Sequence, residues 1–101
     1  MPRVARIMIE NIPYHVPQRG NRREDIFFGD EDRKKYLEWL KVYSERYGLK
    51  IWAYCLMTNH IHLVVVACHK DSLEKTMRSL HTRYAIHINR SRDWSGHLWQ
   101  G

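Results

Sequence analysis

Residues 50–67 read KIWAYCLMTNHIHLVVVA, and this stretch decides the fold. Its second half, from His60 to Ala67, is rich in β-branched residues, and its first half has the aromatic and aliphatic composition of a strand. Thr58 and Asn59 separate the two halves and are typical of a tight turn. The stretch therefore predicts an antiparallel hairpin.

Helical patterns flank the hairpin on both sides. Before it, Asp30 is the expected N-cap of a helix that ends at Gly48, and the apolar residues of that helix are four, three and four positions apart (Tyr36, Leu40, Tyr43, Tyr47). After it, residues 71–74 resemble a capping box, and a second apolar stripe runs to about Asn89 (Leu73, Met77, Leu80, Tyr84, Ile88).

A further strand begins at residues 14–16, and Pro17 is expected to bend or weaken it. The order strand, helix, strand, strand, helix predicts an α+β fold. We expect a ferredoxin-like sandwich with a central antiparallel sheet and two helices on one face. That architecture needs one more strand, and residues 98–101 look like its approach. We therefore expect a single domain over residues 1–101 that is incomplete at its C-terminus, with the final strand or helix truncated.

The charge balance favours a polyanionic partner. The 101 residues include 17 Lys and Arg against 11 Asp and Glu, a formal net charge of +6. Each phosphate that Lys or Arg neutralises releases condensed counterions, so such a surplus favours nucleic acid. The longest apolar run, residues 63–68, is far shorter than the roughly 18 residues needed to span a bilayer. We expect a cytoplasmic protein with no membrane partner.

His60 and His62 are the candidate metal ligands. Residues two apart on a strand project from the same face, so two neutral imidazoles can share one cation. A protein-bound divalent ion usually needs a third ligand, and the candidates are His15, His69, His81, His87 and His97. Of these, His15 lies on the first strand and is expected closest. The alternative is that both histidines are ordinary surface or hydrogen-bonded residues.

Basic residues form two candidate DNA contacts. Residues 19–23, RGNRR, place three arginines and an asparagine beside a glycine, which suits phosphate binding and bidentate readout of guanine (Arg19, Asn21, Arg22, Arg23). Lys75 and Arg78 lie three residues apart on the second helix and can follow a phosphate backbone. A solvated loop and a solvated helix face are the alternatives.

Five segments together resemble a known family: YHV at residues 14–16, QRGN at 18–21, YCLMTNHIHLVV at 54–65, RYA at 83–85 with Asn89, and GHLWQG at 96–101. In this order they resemble the REP-associated tyrosine transposases, a branch of the HUH single-strand, single-tyrosine transposases. The resemblance covers nearly the whole chain and implies the same ferredoxin-like fold.

The resemblance also implies a chemistry. His60 and His62 would coordinate a divalent cation, Mg²⁺ or Mn²⁺, at the phosphate of single-stranded or hairpin DNA. A tyrosine hydroxyl would then cleave and rejoin the strand through a 5′-phosphotyrosine intermediate. The family's nucleophilic tyrosine follows the GHLWQG segment, so it is expected beyond Gly101. Tyr84 is a weak substitute, because it lies on the apolar stripe with Leu80 and Ile88.

Two other functions stay open at this point. The chain can be a catalytically inactive DNA-binding module, or a dimerisation module of the same fold with structural histidines. The family's relatives pair through their sheets, and a sheet that lacks its final strand leaves an open edge. We therefore also expect a homodimer.

Overall fold

The computed structural model describes residues 8–100 and shows a three-stranded antiparallel sheet covered by two helices. The strands are β1 (Pro13–Arg19), β2 (Leu49–Leu56) and β3 (His60–Ala67). The helices are α1 (Asp30–Tyr47) and α2 (Ser72–Arg92), and a short 3-10 helix spans Asn21–Arg23. The predicted α+β fold is confirmed. Gly101 lies outside the described residues.

The sheet has the strand order β1-β3-β2, so β3 is central and carries the histidine pair. On the face of β3 toward the helices, Ile61, Leu63 and Val65 are fully buried. Complete burial of such a side chain stabilises the fold by about 1.5–3 kcal/mol. Because side chains alternate along a strand, this burial turns His60 and His62 to the face away from the helices. The core thus determines the orientation of the histidine pair.

The core between sheet and helices is unusually aromatic. Tyr36 of α1 and Tyr84 of α2 are fully buried, with ring centroids 5.3 Å apart in an edge-to-face arrangement. The buried His81 ring stacks on Trp99 at 3.8 Å. Trp99 thereby holds the C-terminal segment against the domain, and its backbone forms an antiparallel bridge to Gly20 at the end of β1. Residues 98–100 therefore approach the outer edge of β1, as the sequence predicts for the start of a further strand.

Three details of the elements differ from the sequence predictions. The N-cap of α1 is Gly29, and Asp30 is the first helical residue. The side-chain hydrogen bond at the start of the helix comes from Asp32, whose carboxylate accepts the Phe28 N–H at 2.9 Å. Pro17 does not interrupt β1, because proline is tolerated in an edge strand. The second helix extends to Arg92, three residues beyond the predicted end near Asn89, and its C-cap Asp93 has the left-handed conformation.

Candidate metal and nucleic-acid site

His60 and His62 lie side by side on the open face of the sheet. Both are half-buried, and their ring centroids are 4.9 Å apart at an interplanar angle of 88°. The prediction that both rings leave the same face of one strand is confirmed. Two half-exposed imidazoles this close together are arranged so that one nitrogen of each ring could coordinate the same metal ion.

Each imidazole already has a partner at its Nδ1 atom. The Nδ1 atom of His60 lies 2.8 Å from Oδ1 of Asn59, the residue immediately before it in the chain. The Nδ1 atom of His62 lies 2.9 Å from Nε2 of His15, and these two rings are stacked with centroids 5.0 Å apart. The Nε2 atoms of the pair are therefore the ones left for an external ligand.

The β1–β3 register brings His15 to this position. Pro17 pairs with His62 and His15 pairs with Val64, so His15 is the diagonal neighbour of His62 on the same face. The same register sets Arg19 directly opposite His60. Two imidazoles and an arginine side chain are thus presented from adjacent strands on one face of the sheet.

A cleft of about 670 Å³ opens beside the histidine pair. Basic and amide side chains share its wall with the two imidazoles, and the lining residues are Pro17, Gln18, Arg19, Arg23, Asn59, His60, His62 and Gln100. Neutral and positively charged hydrogen-bond donors dominate this set, and no Asp or Glu of residues 8–100 belongs to it. The chemistry of the cleft is suited to an anion such as a phosphate group.

The predicted basic loop of residues 19–23, the arginine loop, forms one side of the cleft. Arg22 and Arg23 both adopt left-handed backbone angles, with φ of 57° and 60°. The loop is held by backbone hydrogen bonds, from Gly20 N–H to Asn59 O at 2.9 Å and from Asn21 N–H to Leu98 O at 2.8 Å. The structure thus brings Arg19 and Arg23 to the histidine pair, while the Asn21 side chain donates to the backbone carbonyl of His97 at 3.3 Å.

Lys75 and Arg78 lie elsewhere. Both are on α2, in the helix layer behind the sheet, whereas the histidines face away from that layer. Lys75 pairs with Asp71 at 3.0 Å, which lowers the pKa of the Asp71 carboxyl, and Arg78 pairs with Glu74. The structure does not bring these two residues to the cleft.

The other candidate third ligands lie away from the histidine pair. His81 is buried in the core, where burial lowers its pKa to about 3 and Tyr36 lies 2.9 Å from its Nε2. His87 lies 3.0 Å from Asp32. His69 follows the far end of β3, and His97 is exposed. Within residues 8–100, no three His, Cys, Asp or Glu side chains form a group that could hold a metal ion. A complete set of protein ligands is therefore not present in this part of the chain.

Tyr84 occupies the core, as its place on the apolar stripe predicts. Its hydroxyl donates to the carbonyl oxygen of Ile26 at 2.6 Å, and burial raises its pKa. It does not line the cleft, and neither does any other tyrosine of residues 8–100.

The sequence model of the family described as transposase IS200 like matches residues 8–101. The chain belongs to the IS200-like transposase family. That membership agrees with the histidine pair on an open sheet face and with the resemblance to single-tyrosine transposases. No curated protein sequence matches the chain. Among residues 8–100, no helix is long and apolar enough to cross a membrane.

Sequence reasoning undervalued two residues of this site in the IS200-like chain. Asn59 is predicted to lie in the turn and belongs to the 54–65 segment that carries the resemblance, but the sequence predicts no role for it in the site, although its position directly before the histidine pair is a signal. Gln100 appeared only as part of a motif, and its place in the cleft depends on the core packing of Trp99. Neither position can be found from periodicity, because both lie outside the helices and strands.

Proposed function

We propose that this chain binds single-stranded or hairpin DNA on the open face of its sheet, as part of a metal-assisted DNA transposase. The observation that carries the proposal is the meeting of His60 and His62 with Arg19 and Arg23 around one cleft, whose lining among residues 8–100 includes no Asp or Glu. Phosphate oxygens fit such a wall, and membership of the IS200-like transposase family supports a DNA substrate.

We propose a divalent cation, Mg²⁺ or Mn²⁺, as the resemblance to single-tyrosine transposases implies, with His60 and His62 as two of its ligands. Both imidazoles are half-exposed and keep an Nε2 atom for coordination, so the remaining ligands would include water and a phosphate oxygen. A bound cation supplies charge that stabilises the crowded, negatively charged transition state at a phosphate. Arg19 and Arg23 would position the backbone, and the open sheet face admits a strand without unfolding the domain.

Cleavage and rejoining through a 5′-phosphotyrosine intermediate are the enzymatic half of the proposal. Attack by a tyrosine hydroxyl forms a phosphotyrosine ester and releases a free 3′-OH, and attack by that 3′-OH reverses the step. No tyrosine of residues 8–100 lines the cleft. The cleavage half therefore requires a tyrosine that these residues do not bring to the site.

The second candidate function is a DNA-binding module without cleavage activity. The two are separated by incubating the chain with a labelled DNA hairpin and Mn²⁺ and looking for a covalent protein–DNA adduct on a denaturing gel. An adduct supports the enzyme. Tight binding without an adduct supports the binding module.

DNA binding is tested by fluorescence anisotropy with a hairpin bearing single-stranded arms and with a duplex of equal length. We expect the hairpin to bind more tightly. Arg19→Ala and Arg23→Ala should each weaken binding and reduce the slope of log affinity against log salt by about 0.7 per lost phosphate contact. Lys75→Ala and Arg78→Ala are matched controls, because these residues lie in the helix layer. Equal effects of all four variants would contradict the assignment of the cleft.

We also propose that the chain forms a homodimer through the outer edge of β2. In the described sheet β2 has β3 as its single neighbour, and Trp52 and Tyr54 on this strand are 62% and 56% exposed. An unpaired edge with large apolar side chains favours pairing with another strand. Sedimentation velocity should show a dimer that Trp52→Lys dissociates and Trp94→Lys does not. A wild-type chain that stays monomeric at every concentration would contradict this proposal.

A further inference from the structure

We propose that Asn59 and His15 are positioning residues. Asn59 keeps the imidazole proton of His60 on Nδ1, and His15 does the same for His62, so that the Nε2 atoms of both rings are left with a lone pair to coordinate one cation. This inference rests on the proposed function, since it concerns the cation site of the same cleft. Neither residue would touch the cation. Each acts through the imidazole that it contacts.

The contact of His60 with Asn59 determines one tautomer. Oδ1 of Asn59 lies 2.8 Å from Nδ1 of His60, and an amide oxygen can only accept, so Nδ1 must donate. The orientation of the amide is fixed at its other end, where Nδ2 donates to the carbonyl oxygen of Arg23 at 3.3 Å. A neutral imidazole has one N–H, and with that proton on Nδ1 the Nε2 atom keeps a lone pair.

The contact of His62 with His15 determines the other tautomer once a cation binds. Nε2 of His15 lies 2.9 Å from Nδ1 of His62, so one of these two atoms donates to the other. If His15 donated, the single proton of His62 would lie on Nε2 and block coordination there. Cation binding at His62 therefore requires His15 to accept and to carry its own proton on its Nδ1.

The same contact places His15 on the Nδ1 side of His62, whereas the cation would lie at the Nε2 atom of that ring. The lone pairs of the two ring nitrogens point in different directions, so a residue that contacts Nδ1 of His62 does not, through that contact, share a cation held at Nε2. The geometry instead matches an outer hydrogen bond that orients a metal-binding imidazole.

Stability of the fold does not account for these side-chain contacts. The His15 side chain is exposed on the open face. The turn at Asn59 is held to the arginine loop by the Asn59 backbone carbonyl, which accepts from Gly20 N–H, and an alanine keeps that bond. Removing either side chain should thus leave the domain folded.

The first test is Mn²⁺ binding to the full chain by calorimetry, at a pH where free imidazoles are neutral. His15→Ala and Asn59→Ala should each bind Mn²⁺ about 10- to 100-fold more weakly than wild type. His15→Gln and Asn59→Asp keep an acceptor oxygen facing the imidazole and should recover most of the affinity. His69→Ala, which removes an exposed imidazole at the far end of β3, is the control and should bind as wild type.

The second test reads the tautomers directly, through the ¹⁵N chemical shifts of the imidazoles in the metal-free protein. His60 should show the Nδ1–H form in wild type and move toward the Nε2–H form, favoured in a free side chain, in Asn59→Ala. A residue with a purely structural role would not change this signal. If an alanine variant unfolds, the wild-type spectrum and the acceptor variants decide, and an Nε2–H form on His60 overturns the inference.

The outcomes separate this inference from the proposed function. If His60→Ala and His62→Ala leave Mn²⁺ binding intact, the cation site itself is wrong and both proposals fail. If those variants abolish binding while His15→Ala and Asn59→Ala bind as wild type, the positioning roles are wrong and the proposed function stands.

Discussion

Replacing Tyr84 with phenylalanine distinguishes a core residue from a nucleophile. The substitution removes one atom, the hydroxyl oxygen, which is buried and donates to Ile26 O at 2.6 Å. That bond ties α2 to the segment before α1, and the neighbouring backbone N–H groups of Ile26 and Phe27 in turn donate to Thr58 O in the β2–β3 turn. Tyr84 thus supports, from the core, the segment that is hydrogen-bonded to the β2–β3 turn.

The magnitude follows from the loss of one buried hydrogen bond. The Ile26 carbonyl would keep its desolvation cost without its partner, so we expect Tyr84→Phe to lower the free energy of unfolding by about 1–3 kcal/mol. For a domain of this size each kcal/mol corresponds to a fall in the melting temperature of roughly 4–8 °C. Mn²⁺ and DNA affinity should not change, because the cleft does not include Tyr84.

The assay is urea unfolding followed by tryptophan fluorescence, for which the buried Trp39 and Trp99 are suitable probes. Tyr54→Phe is the matched control: its ring is 56% exposed, and loss of this hydroxyl should cost less than about 0.5 kcal/mol. The reasoning is refuted if Tyr84→Phe unfolds at the same urea concentration as wild type. It is refuted as well if the variant is stable but loses a covalent adduct that wild type forms.

Two further predictions concern the loop and the core. Gly20→Ala should destabilise the domain by about 1–3 kcal/mol and weaken DNA binding, because the new Cβ would lie 2.3 Å from the Glu24 carbonyl oxygen. Gly29→Ala is the control and should not change stability, because its Cβ would have no neighbouring atom within 4 Å. Unfolding curves that coincide for the two variants would contradict this prediction. Burial lowers the pKa of His81 to about 3, so below its ordinary pKa of about 6.5 the unfolded chain binds a proton at this residue that the folded chain does not. The free energy of unfolding should therefore fall by up to about 1.4 kcal/mol per pH unit as the pH drops from 6.5 toward 3. His81→Gln should reduce this slope in the same unfolding assay.

The elements of the fold were predictable because they follow simple periodicities. The hairpin of residues 50–67 and both apolar stripes correspond to β2, β3, α1 and α2. The ends of the elements were less predictable. Asp30 is a good N-cap by type, yet Asp32 makes the hydrogen bond at the start of α1, and α2 continues past its last apolar position because polar residues there do not oppose a helix.

The candidate site was predictable only in part. Alternation along one strand fixes the common face of His60 and His62, and this needs no knowledge of the neighbouring strands. The sequence already favours His15 because it lies on the first strand, but its contact with Nδ1 of His62 depends on the register between β1 and β3, which are separated by a helix and a strand in the chain. Lys75 and Arg78 are a basic pair in sequence, but their ion pairs with Asp71 and Glu74 and their place on α2 become visible only in three dimensions.

The most direct measurement of the central claim is paramagnetic broadening of the backbone amide signals by substoichiometric Mn²⁺. The account predicts that broadening is strongest at His60, Ile61 and His62, extends to His15 and Arg19 on the adjacent strand, and spares the acidic first turn of α1. Broadening centred on that acidic turn, or on His69 or His97, would contradict the assignment of the cation to the histidine pair.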